Sequence, residues 1–244
     1  MSSVADAVAQ VVAPPDAGRG VRIGVIDSGV FPGHPHIGPI AGGAAILPDD
    51  EISQDPRAWI DRLGHGTAVT AAIQEKAPAA EIFAVKVFHD ALKTSAGTLV
   101  RAIDWCVAQR LDVVNLSLGS ANPNHREAFT AAAERAAAVG LVLVAARQMG
   151  DEPCYPGCLP GVLGVGLDWD CPRDRYVLRQ VEGRRVCETS GYPRPVPGVS
   201  PSRNLSGISF AVANMTGHLA AALGEAEPAD LFTILERRAA ALGA

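Results

Sequence analysis

The chain has 244 residues, 48% of them hydrophobic, and a formal net charge of −5. That length and apolar content fit one globular domain with a sizeable core. The mildly acidic balance provides no electrostatic footprint for nucleic acid or for an anionic membrane, and no run of eighteen apolar residues offers a membrane span.

In chain order, the first twenty residues (MSSVADAVAQVVAPPDAGRG) lack a basic segment followed by an apolar one. They do not read as a secretory signal, so with Met1 as the natural start the expected location is the cytoplasm. Residues 21–27 (VRIGVID) form a continuous apolar strand that ends in a carboxylate, and similar runs follow at 80–87, 113–118, 141–146 and 162–167. Short apolar runs bounded by Gly and Pro suit strands buried on both faces. Helical stretches at 67–76, 99–109 and the alanine-rich 125–139 lie between them. Helices alternating with buried strands predict an α/β fold: a three-layer, doubly wound, mostly parallel sheet with flanking helices. Such sheets carry their sites at the carboxyl ends of the strands.

Residues 176–187 (YVLRQVEGRRVC) alternate around Glu182-Gly183 and predict a β-hairpin appended to this core, within an insertion at 168–190. A Pro-rich loop at 192–201 leads to a helix over about 209–223, and a last helix covers about 228–242. The whole reads as a single domain over 1–244, with its core at about 20–224.

Five cysteines punctuate the chain. Cys106 sits in an apolar helical stretch and reads as a core thiol. Cys154 and Cys158 lie in CYPGC, which is not the CxxC spacing of a zinc knuckle or redox motif. Cys171 and Cys187 bracket the hairpin, leaving a bridge between them open, with free thiols expected in a reducing compartment and a four-thiolate zinc site the remaining alternative. Arginines cluster over 173–185 and at Arg194 and Arg203. They read as a solvated surface, with a docking patch for an acidic peptide as the alternative, and a protein partner at the 171–187 hairpin as a further one. His34, His36, His89, His125 and His218 carry no motif.

Three short motifs carry the chemistry. Asp27-Ser28-Gly29 ends a buried strand, Gly64-His65-Gly66-Thr67 opens a helix, and Gly207-Ile208-Ser209 opens another. Each alone has an ordinary reading, as a turn aspartate, a structural histidine or a serine N-cap. Their order, their small flanking residues and the intervening α/β pattern argue against coincidence.

With VRIGVIDSGV, GHGTAVTAAI, AEIFAVKVF, VVNLSLGS, LVLVAA and SGISFAVANMTG, the chain resembles the subtilase family of serine peptidases over about 21–223. The resemblance implies a serine endopeptidase without a cofactor, acting on extended peptides. Ser209 would be the nucleophile, His65 the general base and Asp27 the group that orients it. It also implies that Ser117, Leu118 and Gly119 pair with substrate, that Ala145 and Ala146 form another wall, and that Cys154 lies at the pocket floor. These residues are uncharged, so an uncharged residue is expected before the cut. The Ser209 backbone N–H is implied as an oxyanion donor.

Departures from the family pattern set further expectations. Arg147-Gln148 stands where the family has Gly-Asn, so Gln148 is the candidate side-chain donor to the oxyanion, one methylene longer. Its alternatives are a slow enzyme or an oxyanion hole made by Ser209 N–H alone. Ile208 and Ala213-Asn214 read as packing changes. His36 occupies the place of a calcium-binding Asp, and residues 71–78 lack the looped insertion that completes that site, so no tight calcium and no other metal is expected. The compact size resembles subtilases that trim peptide precursors, which makes a dedicated maturation protease one reading of the function. The alternatives are a peptide-binding or scaffold protein with impaired catalysis, and a partner-activated protease.

Overall fold

A computed structural model describes residues 13–181, 183–225 and 230–243. The N-terminal stretch read above for a targeting signal lies outside them up to residue 12, as do Glu182 of the expected hairpin turn and residues 228–229 of the expected last helix.

The elements run β1 (Arg22–Asp27), β2 (Gly42–Ile46), β3 (Ile52–Ser53), α1 (His65–Lys76), β4 (Glu81–Lys86), α2 (Ala96–Ala108), β5 (Val113–Leu116), α3 (Arg126–Ala138), β6 (Val142–Ala146), β7 (Gln148–Met149), β8 (Glu152–Pro153), β9 (Leu163–Leu167), β10 (Tyr176–Val181), β11 (Arg184–Thr189), α4 (Ile208–Glu225) and α5 (Leu231–Gly243). The main sheet has the order β10-β11-β9-β6-β5-β1-β4-β2-β3. Its pairings are parallel from β11 to β2, and an antiparallel strand closes each edge: β10 on β11 and β3 on β2. The expected hairpin is β10–β11, and it extends the sheet itself by pairing with β9.

Side chains alternate across the strands and divide the core into two layers. Ile23, Val25, Val113, Val144 and Ala146 face α1, α4 and α5. Ile26, Val114, Leu116, Leu143 and Ala145 face α2 and α3. Apolar residues at both parities explain why these strands read as continuous apolar runs. Cys106 is fully buried on α2, and its sulfur stands over β1 at Gly24, where a Cβ would come within 2.9 Å of it.

After β1 the chain builds β2, β3 and β4 on one side and later crosses to β5 on the other. The strand order therefore reverses at β1 and β5, where open α/β sheets place their ligand crevice. Asp27 ends β1, and Ser117 follows β5.

The arginines of the hairpin region are engaged inside the chain. Arg173 donates to Glu75 on α1, Arg184 to the carbonyls of Cys158 and Leu159, and Arg179 to Glu188 across the hairpin. Arg185 lies 4.2 Å from the Phe232 ring centroid and within ion-pair distance of Asp230 and Glu236, which links the hairpin to α5. These side chains fasten the sheet edge. All five cysteines are free thiols, including Cys171 and Cys187. No described helix is long and apolar enough to cross a membrane.

Candidate active site

Asp27 is fully buried, because β1 carries it to the end of a strand covered on both faces. Its carboxylate meets His65 Nδ1 at 2.8 Å through Oδ1 and 3.0 Å through Oδ2, and Oδ1 also accepts from the Ser28 N–H at 2.7 Å. A carboxylate on Nδ1 assigns the proton to that nitrogen and leaves Nε2 as the basic one.

His65 is the first residue of α1, and the start of that helix is held from outside it. Ser28 Oγ accepts from the Gly66 N–H at 2.8 Å, so the residue after Asp27 caps the helix that carries His65. Asp61 completes the cap. Its Oδ1 accepts from the N–H groups of Leu63 and Gly64, and its Oδ2 from the N–H and hydroxyl of Thr67. These contacts satisfy amides that a helix start leaves without partners and place a negative charge at its positive end. Asp61 is itself placed by pairing of the loops: Val30 N–H donates to Trp59 O and Asp61 N–H to Val30 O. Gly29 permits this approach, since its φ is +95° and a Cβ there would lie 2.1 Å from Trp59 O.

Burial by itself lowers the His65 pKa, but the hydrogen bond and charge of Asp27, with the charge of Asp61, outweigh it and raise the value above 6.5. Burial raises the Asp61 carboxyl, but the donors from Thr67, Gly64 and Leu63 overcome it and hold the carboxyl below its usual range.

Ser209 lies in the first turn of α4. The Phe210 ring beside it is 5.7 Å from the His65 ring, centroid to centroid, so the starts of α1 and α4 meet over the end of β1. Ser209 Oγ donates to Ser117 O at 3.1 Å, and no hydrogen bond joins it to His65 among the described residues. Ser117 Oγ returns a bond to Ser209 O at 3.1 Å and accepts from Asn115 Nδ2 at 2.8 Å. Thr216 of α4 donates to Asn115 Oδ1 at 3.0 Å. This buried polar chain locks α4 to β5. It was not singled out from the sequence, although a lone Asn inside the apolar run VVNL was a visible signal. Among the described residues the Ser209 backbone N–H has no acceptor.

Gln148 lies on β7, which pairs with β8 in a small separate hairpin, and its amide oxygen accepts from Arg147 Nη2. Both side chains line a cavity with Arg126 and Arg184 that includes neither His65 nor Ser209. Gly119 packs directly under Cys154: a Cβ at 119 would lie 2.5 Å from the sulfur and 2.4 Å from Tyr155 O. Ser120 and Tyr155 exchange backbone hydrogen bonds at 2.9 Å and hold these strands together. Burial pushes the Cys154 thiol up to about 11, which keeps it neutral at ordinary pH. Ala146 shares the layer of Cys154, whereas Ala145 faces α2 and α3, as does half-buried Leu118. Ile208 packs on the α4 layer, and Asn214 donates to Ser190 O and Tyr192 O, tying α4 to the loop after the hairpin.

The residues around His36 do not suit calcium. Gln74 bridges the Gly38 N–H and Pro39 O, and the Arg194 guanidinium donates to His36 O, so a cation would replace a cation. Among the described residues no group of three or more His, Cys, Asp or Glu side chains could hold a metal ion.

A family model described as the subtilase family matches residues 18–167, a stretch that includes Asp27 and His65 and ends before Ser209. An intracellular serine protease of Paenibacillus polymyxa is 30% identical over 220 residues, covering 83% of this chain and 66% of that protein. Subtilisin E of Bacillus subtilis (strain 168) is 27% identical over 218 residues, covering 82% of this chain and 52% of that protein. Subtilisin Savinase of Lederbergia lenta is 29% identical over 210 residues, covering 82% of this chain and 71% of that protein. The chain thus spans about two thirds of the first of these relatives and about half of the second.

Proposed function

This chain belongs to the subtilase family, and from that premise we propose that it is a serine endopeptidase whose chemistry rests on Asp27, His65 and Ser209. The observation that carries the reading is the Asp27–His65 contact of 2.8 Å at the reversal point of the sheet, with the Ser209 helix starting beside it. On this reading the Ser209 hydroxyl leaves Ser117 O and turns to His65 when substrate binds. His65 Nε2 takes the hydroxyl proton as Oγ attacks a peptide carbonyl, then passes it to the leaving amine. Asp27 holds the imidazole and stabilises its cationic form. The Ser209 N–H at the helix start receives the oxyanion.

In this reading the neutral Cys154 thiol, packed against Gly119, forms the floor of the pocket for the residue before the cut. A small uncharged residue before the cut fits it, which favours a dedicated precursor over bulk digestion. Peptides with Ala before the cut should exceed those with Phe in kcat/KM, and rapid casein digestion would argue against a narrow role. An intracellular setting accords with five free thiols and with the name of the Paenibacillus relative.

Two contacts favour a second reading, a peptide-binding protein with slow chemistry or a protease awaiting a partner. The Ser209 hydroxyl is turned to Ser117 O, and the Gln148 amide oxygen is held by Arg147. A fluorophosphonate probe separates the two. We expect one adduct on the wild type, read by intact mass, and none on Ser209→Ala; an unlabelled wild type after long incubation would move the second reading to first place.

A further inference from the structure

A cavity of about 320 Å³ flanks His65 and uses none of the residues placed above at the substrate walls. Its walls come from the three segments that carry the catalytic residues. Phe31, His34 and His36 follow Asp27; Asp61, Arg62 and Thr67 surround His65; and Pro193, Arg194 and Asn204 belong to the loop that leads into Ser209.

The cavity is cationic in a chain whose net charge is −5. Arg62 is exposed and makes no hydrogen bond or ion pair among the described residues. Arg194 has no carboxylate partner among the described residues either; its Nη1 donates only to His36 O, at 3.2 Å. The one carboxylate in the wall, Asp61, has both oxygens occupied by the four donors that start α1. Burial lowers the His36 pKa first, and the charges of Arg194 and His34 lower it further against the opposing charge of Glu75. Phe31, 50% exposed, and Val196, 38% exposed, supply an apolar rim for a side-chain stem.

We propose that this cavity is a subsite for a carboxylate on the part of the peptide that follows the scissile bond. The proposal rests on the peptidase reading for its position. The acyl half belongs with Ser117–Gly119 and Cys154, none of which lines the cavity, while His65, which protonates the leaving amine, is bracketed by cavity residues Gly64 and Thr67. Arg62 and Arg194 present guanidinium donors suited to a carboxylate. The carboxylate is that of an Asp or Glu side chain or that of a free chain end.

The test is binding, which needs no turnover. Dye-labelled alanine peptides bearing one Glu, Gln or Lys, each as free acid and as C-terminal amide, are titrated by fluorescence anisotropy against Ser209→Ala, alone and with Arg62→Gln or Arg194→Gln. We expect the Glu peptide to bind about ten-fold more tightly than the Gln peptide, as a charge-assisted pair would give. That preference should vanish in Arg62→Gln at an unchanged melting temperature, and Arg62→Glu should favour the Lys peptide instead. A gain that follows the terminal acid rather than the side chain keeps the subsite and assigns it to a chain end. Equal binding of the Glu, Gln and free-acid peptides, or a preference that survives both arginine variants, overturns the proposal. Failure of the peptidase reading is separate, since it shows as an unlabelled wild type in the fluorophosphonate assay.

Discussion

At the residue scale, Asp27 decides the proton chemistry of His65. A general base must be neutral, so kcat/KM should fall as pH drops through a midpoint above the ordinary 6.5. In Asp27→Asn the midpoint should move down and turnover should fall by about ten-thousand-fold, the loss typical of this change in serine triads. The same shift acts on stability. A histidine whose folded pKa is raised stabilises the fold below its unfolded value, and this contribution disappears as pH rises through the folded value. Asp27→Asn should therefore lose more stability below pH 6.5 than well above it. A pH–rate profile and chemical denaturation at several pH values measure both effects; a wild-type rate midpoint at or below 6.5 would contradict the pairing.

At the scale of the element, α1 depends on Asp61. This one carboxylate accepts four hydrogen bonds at the start of the helix that carries His65. An amide keeps only one acceptor oxygen, so Asp61→Asn should cost about 1–3 kcal/mol and slow probe labelling by loosening His65. Because the folded pKa of Asp61 is depressed, its contribution is present above the unfolded carboxylate value and is lost as pH falls through the folded one. Wild type and variant should thus converge in stability toward acid. Equal melting temperatures near neutral pH would show that Asp61 is not the cap that holds this helix.

For the whole molecule, the sheet separates the site from half of the core. Phe129 of α3 has no exposed surface and packs in the α2/α3 layer, on the face away from α1 and α4. Phe129→Ala should cost about 3–5 kcal/mol by leaving a cavity in that layer. The fluorophosphonate labelling rate of the folded protein should stay unchanged, because Phe129 packs on the sheet face opposite to α1 and α4, which carry His65 and Ser209. A labelling rate that falls in step with stability would mean that the layers are coupled through β1 and β5.

The α/β class, the buried strands and most of the helices were legible in the residue pattern. Strands covered on both faces must be apolar at both parities, and VRIGVID or LVLVAA records that burial locally. The pattern also supplied Asp27, His65 and Ser209 as candidates, because motif order and small flanking residues are local signals. The strand Gly42–Ile46 was not legible, since GGAAI has little β-branched character and becomes a strand only by pairing with β4. Tertiary structure alone decided which partners distant side chains take. It turned the hairpin arginines onto Glu75, on the carbonyls of residues 158 and 159, and on α5; it directed Ala145 and Ala146 to opposite layers and bound Ser209 Oγ to Ser117. It also gathered loops from three distant parts of the chain into one cationic cavity beside His65. Local pattern records burial and turn chemistry, whereas long-range partners follow from which surfaces the packed layers bring face to face.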